Sequence, residues 1–177
     1  MLFRKESKGK QMKTKQIAID AMLAAMCAIL GYVSLDFGNL KFTFESFPIL
    51  MAAIFLGPVN GMIVAGIGTF LYQILKYGLM STTILWIVPY IIYALYIGLL
   101  RKKNLWFVIL SAALILTSLN TLVIYLDAII WGYYTFTYVF GACIFRFITS
   151  IIKSIVYIII IKRIWNSIEK VLKNLPN

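Results

Sequence analysis

Histidine is absent from the 177 residues. Its absence removes the commonest general base and metal ligand, and with them any Ser-His or Cys-His nucleophile pair. Acidic residues are scarce too: Asp and Glu total 6, and Asp20, Asp36, Glu45 and Asp127 are scattered, with no DxxD-like pair. A membrane-embedded enzyme acting on lipid or isoprenoid wants paired carboxylates, or a nucleophile beside a base, and this pattern argues against one. Cysteine is limited to Cys27 and Cys143, both inside apolar runs and without CxxC spacing, so neither a redox pair nor a zinc site is indicated. Both read as small hydrophobes. No cofactor is implied. The chain has no GxxxxGK[ST] P-loop, no TVGYG-like filter and no inverted repeat of the kind that builds a self-sufficient secondary transporter. If it moves a solute uphill, another protein supplies the energy.

What the chain does have is apolar surface. Hydrophobic residues make up 62% and charged residues 13%, with a mean hydropathy of +0.92, against roughly 45–50% apolar and about 25% charged in soluble domains. A globule of one-domain size cannot hide that much. The charge that remains is lopsided, 17 Lys+Arg for a net +11 and a pI near 9.7, which would ordinarily suggest nucleic acid. A membrane explains it better.

A bilayer core of about 30 Å takes about 20 apolar residues per helix, because unpaired backbone groups are too costly in lipid for anything but helices or a closed barrel. Such stretches fall at about 15–35, 47–60, 61–78, 83–100, 105–126 and 138–162, and the second is the shortest. Barrel-type alternation occurs only once, so the expected fold class is all-α: an integral membrane bundle of six transmembrane helices. Cations mark the cytoplasmic side. They cluster in the N-terminal tail (Arg4, Lys5, Lys8, Lys10, Lys13, Lys15), at Arg101, Lys102 and Lys103, and near the end (Lys162, Arg163, Lys170, Lys173). With six helices these regions share one face, so both termini are expected in the cytoplasm. The organisation is a basic tail (1–14), a six-helix substrate-binding domain (15–163) and an interfacial extension (164–177), in which Ile164, Trp165, Ile168, Val171, Leu172 and Leu175 alternate with charge. The N-terminal apolar stretch lacks a cleavage pattern and reads as a retained helix.

Several features carry functional interest. Ala21 over Ala25, and Ala24 over Ala28, form ridges of small residues on the first helix that suit close helix approach, either inside the bundle or against another membrane subunit. Gly57, Gly61, Ala65, Gly66 and Gly68 form a second series, best explained by internal packing. The segment Leu40-Lys41-Phe42-Thr43-Phe44-Glu45 alternates with the period of an extended strand, so the connector is either a lid or an interfacial strap. Trp131, Tyr133, Tyr134, Phe136 and Tyr138 suit a headgroup belt or a stacking wall. Arg146 and Lys153, seven residues apart in the last stretch, fall on one helix face, and with Lys76 they would make an outward vestibule for an anion. Snorkelling of Arg146, and pairing of Lys153 with Asp127 or Glu45, explain the same cations without a ligand. Pro89 frees the Leu85 carbonyl beside Trp86 and Tyr90. Gln73, Ser118, Asn120 and Thr121 need polar partners, which interhelical hydrogen bonds ordinarily supply, and Asp20 reads as a solvated interface residue.

With these features in place, the chain resembles an S component, the substrate-binding membrane subunit of an energy-coupling factor (ECF) vitamin transporter. The likeness covers about residues 13–165. It rests on six helices with cytoplasmic ends, on the Ala-x-x-x-Ala pattern at Ala21 and Ala25, and most specifically on Leu40-Lys41-Phe42-Thr43-Phe44-Glu45-Ser46-Phe47-Pro48 running into Phe55-Leu56-Gly57-Pro58 and Gly61. The resemblance implies a vitamin captured from outside, a connector between the first two helices that helps close over it, and an alanine motif that meets a transmembrane coupling protein. It also implies two ABC-type ATPase subunits that drive uptake, toppling of the S component during transport, and residence in a bacterial plasma membrane. Within the family the Leu-Lys-Phe-Thr-Phe-like segment and the 146–153 stretch look most like the folate-type branch, while riboflavin and pantothenate branches share variants of the Phe-Pro and Gly-Pro segments. Substrate contacts are expected from Phe44, Glu45, Lys76, Trp86, Tyr90, Asn120, Trp131, Arg146 and Lys153, and partner docking from Ala21, Ala24, Ala25 and Ala28. A non-transporting scaffold and a membrane-embedded enzyme are the readings from other classes.

Overall fold

The computed structural model of the chain describes residues 2–37, 40–132, 135–141 and 143–173. In chain order the elements are α1 (Leu2–Tyr32), β1 (Leu35–Phe37), β2 (Leu40–Phe42), α2 (Ser46–Met51, continued by a wide π-helical turn at Ala52–Leu56), α3 (Pro58–Tyr77), α4 (Thr83–Leu100), α5 (Leu105–Ile130), α6 (Phe136–Gly141) and α7 (Cys143–Lys173). Five helical stretches are long and apolar enough to cross a bilayer. Their outward faces carry large apolar side chains, with Ile84 74% and Ile144 71% exposed. Such residues along every long helix are a surface made for acyl chains, not water.

The sixth apolar stretch behaves differently. Expected over 47–60, it ends at Leu56, an 11-residue Ser46–Leu56 segment of about 16 Å at helical rise, roughly half a bilayer core. It is apolar on all sides because it is enclosed on all sides. Ile49, Leu50, Ala52 and Ala53 are fully buried, and the segment packs against α1, α3 and α4 while Phe47 and Phe55 lie 5.2 and 5.0 Å from the rings of Tyr157 and Trp165 on α7. A helix without a polar face is stable only as a core element, and here it plugs the bundle.

The stop after this plug has a local cause. The Gly57 N–H bonds the Ala52 carbonyl five residues back, and Gly57 then takes φ 106°, a backbone conformation that L side chains rarely adopt. Pro58 follows at the first helical position, where its fixed φ and missing N–H cost nothing. The third helix therefore begins at Pro58, not at 61. Close approach continues through Gly98 of α4, whose added Cβ would sit 2.4 Å from the Pro58 Cα, and through Gly68 of α3, where it would sit 2.6 Å from the Cys27 Cβ. Of the glycine series, Gly61 and Gly68 serve internal packing as expected, with Ala53 2.8 Å from an added Cβ at Gly61, while Gly66 meets only Ile91 Cδ1 at 3.9 Å.

Other boundaries also move. The first helix, expected over 15–35, ends at Tyr32 and continues backward to Leu2, through the basic tail. The fifth, expected to stop at 126, runs to Ile130, which puts Asp127 in its last turn and not in a loop. The last stretch is helical over α6 and α7, and α7 carries on into the 164–173 extension. Residues 40–42 are extended, as their alternation indicates, and pair antiparallel with 35–37 in the register Leu35 to Phe42, Asp36 to Lys41 and Phe37 to Leu40.

Candidate functional site

A cavity of about 510 Å³ opens at the end of the bundle that carries the β1–β2 hairpin, between the C-terminal ends of α3 and α5 and the N-terminal ends of α4 and α7. Four of its lining residues are ionisable in the ordinary range or always charged: Glu45, Asp127, Arg146 and Lys153. Between them stand the aromatic faces of Tyr72, Trp86, Tyr90, Tyr93, Tyr138 and Tyr157. Aromatic walls with a few fixed polar groups are the usual make-up of a small-molecule site.

Helix α7 supplies one wall through periodicity. Arg146, Ser150, Lys153 and Tyr157 recur at helical spacing on the cavity face. Ser150 Oγ donates to the Ala113 carbonyl of α5 at 3.2 Å, pinning the two helices together, and Ser154 Oγ donates to the Ser150 carbonyl at 2.8 Å. At the hairpin end of this face the Arg146 guanidinium lies 5.2 Å from the centroid of the Tyr138 ring, a cation–π contact. Its Nη1 and Nη2 are buried and make no hydrogen bond among the described residues. A snorkelling side chain would have put those nitrogens in the interface; this one holds them inside the cavity.

The carboxylates are held from α4. Glu45 occupies the N-cap position of α2 without a side-chain capping bond and is 4% exposed. Its Oε1 accepts from the Tyr90 hydroxyl and from Thr43 Oγ1 at 3.2 Å, while Oε2 is buried and accepts nothing among the described residues. Gly31 makes room for it, since a Cβ there would lie 2.8 Å from Oε2 and 2.7 Å from the Tyr72 ring. One turn from Tyr90 on α4, Trp86 Nε1 donates to Asp127 Oδ2 at 3.3 Å, and Asp127 Oδ1 is likewise bare. Of the two carboxylates expected as partners for Lys153, Glu45 lies within its electrostatic reach. Next to Glu45, Ser46 Oγ and the Tyr157 hydroxyl share a 3.1 Å hydrogen bond that ties the start of α2 to α7.

Of the residues expected to contact substrate, Glu45, Trp86, Tyr90, Asn120, Arg146 and Lys153 come together on this cavity, and Asn120 Oδ1 is another bare acceptor. Three do not reach it. Lys76 is hydrogen-bonded to Ser34 at the start of the hairpin connector, the Phe44 ring lies tilted 6.3 Å from that of Tyr157 without lining the cavity, and Trp131 sits 37% exposed beyond the last turn of α5. The cavity therefore carries two cations, Arg146 and Lys153, and not Lys76. Within the aromatic cluster Tyr138 lines the cavity, while Tyr133 and Tyr134 lie outside the described residues. Gln73, one of the intramembrane polar residues able to face a ligand, lines the wall, as does Asp127, legible in the sequence only as a partner for Lys153, and Tyr157, for which the sequence carries no signal. Ser118 and Thr121, expected to bond other helices, donate instead to their own helix at the Leu114 and Thr117 carbonyls. Asp20 is not solvated: it is buried and accepts from Asn60 Nδ2 of α3 at 2.9 Å.

The alanine ridge separates into two faces. Ala24 and Ala28 are buried, with the Ala24 carbonyl 3.1 Å from where a Gly68 Cβ would stand, so they serve the α1–α3 contact and cannot meet a partner. Ala21 and Ala25 point outward beside Met22 and Ile29, so the expected four-alanine face narrows to these two.

A bundle of apolar helices around a polar, aromatic-walled cavity with unmet donors and acceptors defines a membrane-embedded solute-binding protein. A family model for the substrate-specific component of ECF transporters matches residues 15–170. The chain belongs to this family, whose members are transporter subunits. A comparison with curated proteins finds no match.

Proposed function

We propose that the chain is the substrate-capture subunit of an ATP-driven vitamin importer, taking an anionic, folate-like vitamin from outside into the cavity. The observation that carries this reading is the Arg146 guanidinium, buried over the Tyr138 ring with both terminal nitrogens unmet. A planar fork beside an aromatic face suits a carboxylate attached to a flat ring system. The basic residues at 101–103 and 162–163 lie at the end of the bundle opposite the cavity, so the positive-inside rule points the cavity outward and the termini toward the cytoplasm. Energy would come from a transmembrane coupling protein, docked on Ala21 and Ala25, and from two ABC-type ATPases. The segment from Ser34 to Glu45, tied to the bundle by Lys76 and Tyr90, would close over the solute.

Purification from native membranes in mild detergent, followed by mass spectrometry of released small molecules and of co-purifying proteins, tests this. A folate together with a coupling protein and ATPases is the expected result. Pantothenate, which also offers Arg146 a carboxylate, or riboflavin would move the vitamin but keep the subunit. Neither a small molecule nor ATPases would remove the reading.

A further inference from the structure

The charges around the cavity do not suit a simple anion. Glu45 and Asp127 each use one oxygen on an aromatic donor from α4, the Tyr90 hydroxyl and the Trp86 indole, and each leaves the other oxygen buried and bare. Tyr90 and Trp86 are one helical turn apart, so a single face of α4 orients both carboxylates. A solute carrying only negative charge would answer Arg146 and Lys153 but would bring no donor to the bare oxygens of Glu45 and Asp127. A neutral or purely cationic solute would leave the Arg146 nitrogens unmet. Unmet buried donors and acceptors of both signs call for a solute that brings both.

The geometry separates the two ends. Ser46, the neighbour of Glu45, is bonded to Tyr157, which stands eleven residues beyond Arg146 on α7. At helical rise that is ~16 Å between the two backbone positions, and Lys153, within reach of Glu45, stands ~10 Å along the axis from Arg146, so the Glu45 and Arg146 ends lie at different depths. We infer that the solute is elongated and amphoteric, with an N–H-donating head against Glu45 and an acidic group against Arg146, and that Glu45 is a specificity-determining residue. The inference rests on the capture function proposed above, and it concerns the chemistry and orientation of whatever is captured.

The test uses the full-length protein in detergent and isothermal titration with a panel chosen by end groups. Folic acid and biotin each carry ring N–H donors and an acid. p-Aminobenzoyl-glutamate carries the acid without the heterocyclic head, thiamine an amino-heterocycle without an acid, and riboflavin neither charge. The expected result is tight binding by a two-ended compound, with loss of about 100-fold or more for the compound lacking one end. Glu45→Gln keeps the shape and should weaken the two-ended compound about tenfold or more while leaving p-aminobenzoyl-glutamate unchanged. Because wild-type protein with the fragment series already reads the rule, a variant that fails to fold does not rescue the idea. Biotin bound tightly in place of folic acid overturns the folate subtype and keeps the rule. Thiamine or riboflavin bound tightly, a tail fragment that equals the whole, or a panel in which nothing binds overturns the rule, and the first of these leaves capture itself intact.

Discussion

Replacing Arg146 with methionine separates a ligand-binding cation from a structural one, because the two roles move stability and affinity in opposite directions. The side chain keeps its apolar stem in the change and loses only the guanidinium. In the free protein that guanidinium contributes a cation–π contact with Tyr138, worth about 0.5–2 kcal/mol, and carries two buried nitrogens without partners among the described residues. An unmet buried polar group costs about 1–3 kcal/mol, so two of them outweigh the ring contact. Arg146→Met should therefore leave the empty protein as stable or more stable, by about 1–3 kcal/mol. At about 2–4 °C per kcal/mol for a chain of this length that is a rise of several degrees in Tm. With solute the sign reverses. Two charge-assisted bonds to a carboxylate are worth about 1.5–3 kcal/mol each, and their loss weakens Kd by about two to four orders of magnitude. Thermal unfolding in detergent, with and without the solute recovered by mass spectrometry, reads both effects in one experiment. A variant that melts lower when empty yet keeps its full solute-induced shift would show that Arg146 holds the fold and not the ligand.

Gly98→Ala should cost about 1–3 kcal/mol, because the added methyl meets Pro58 backbone at 2.4 Å, whereas Gly66→Ala, with only Ile91 Cδ1 at 3.9 Å, should be neutral or slightly stabilising; melting curves of the pair check this. Trp86→Phe removes the donor to Asp127 Oδ2 and should weaken solute binding about tenfold with little change in Tm, measured by titration. Ala21→Leu with Ala25→Leu should abolish co-purification of a coupling protein and ATPases but preserve solute binding, while Ala24→Leu should lower the Tm strongly, since Ala24 is 3% exposed against α3; pull-down and melting on the same samples distinguish the two faces.

Much of the fold was legible because lipid leaves few alternatives. Long apolar runs bounded by Gly-Pro, by Arg101-Lys102-Lys103-Asn104 and by Gly78 to Thr82 had to be helices, and the boundaries of α4 at Thr83 and Leu100 match the run itself. The plug was misjudged for a physical reason. Hydropathy cannot tell a helix that faces lipid from one that faces other helices, and only the shortness of the 47–60 stretch set it apart in the sequence; the π-turn at Ala52–Leu56 that ends the plug shows only in the structure. Direction was the other missing quantity. The ridge Ala21, Ala24, Ala25, Ala28 is one patch on a helical projection, yet α3 covers half of it, and which half depends on the crossing of two helices rather than on either sequence.

The site divides along the same line. Arg146 and Lys153 were visible because a cation in an apolar helix is expensive wherever it points, so its mere presence is information. Carboxylates near helix ends carry no such signal: Asp127 looked like a loop residue because Trp131 and Gly132 follow it closely, and Glu45 looked like part of a connector. What turns them into a site is cross-chain pairing, Glu45 with Tyr90 and Asp127 with Trp86, over separations of 45 and 41 residues. Each aromatic donor fixes one carboxylate oxygen and leaves the other buried and without a partner among the described residues. The two oxygens left over, together with the two nitrogens of Arg146, are the strongest physical reason to expect a solute there. A bundle stabilised only for its own sake would have met these groups with side chains of its own, because each one left bare subtracts from a folding free energy that is never large.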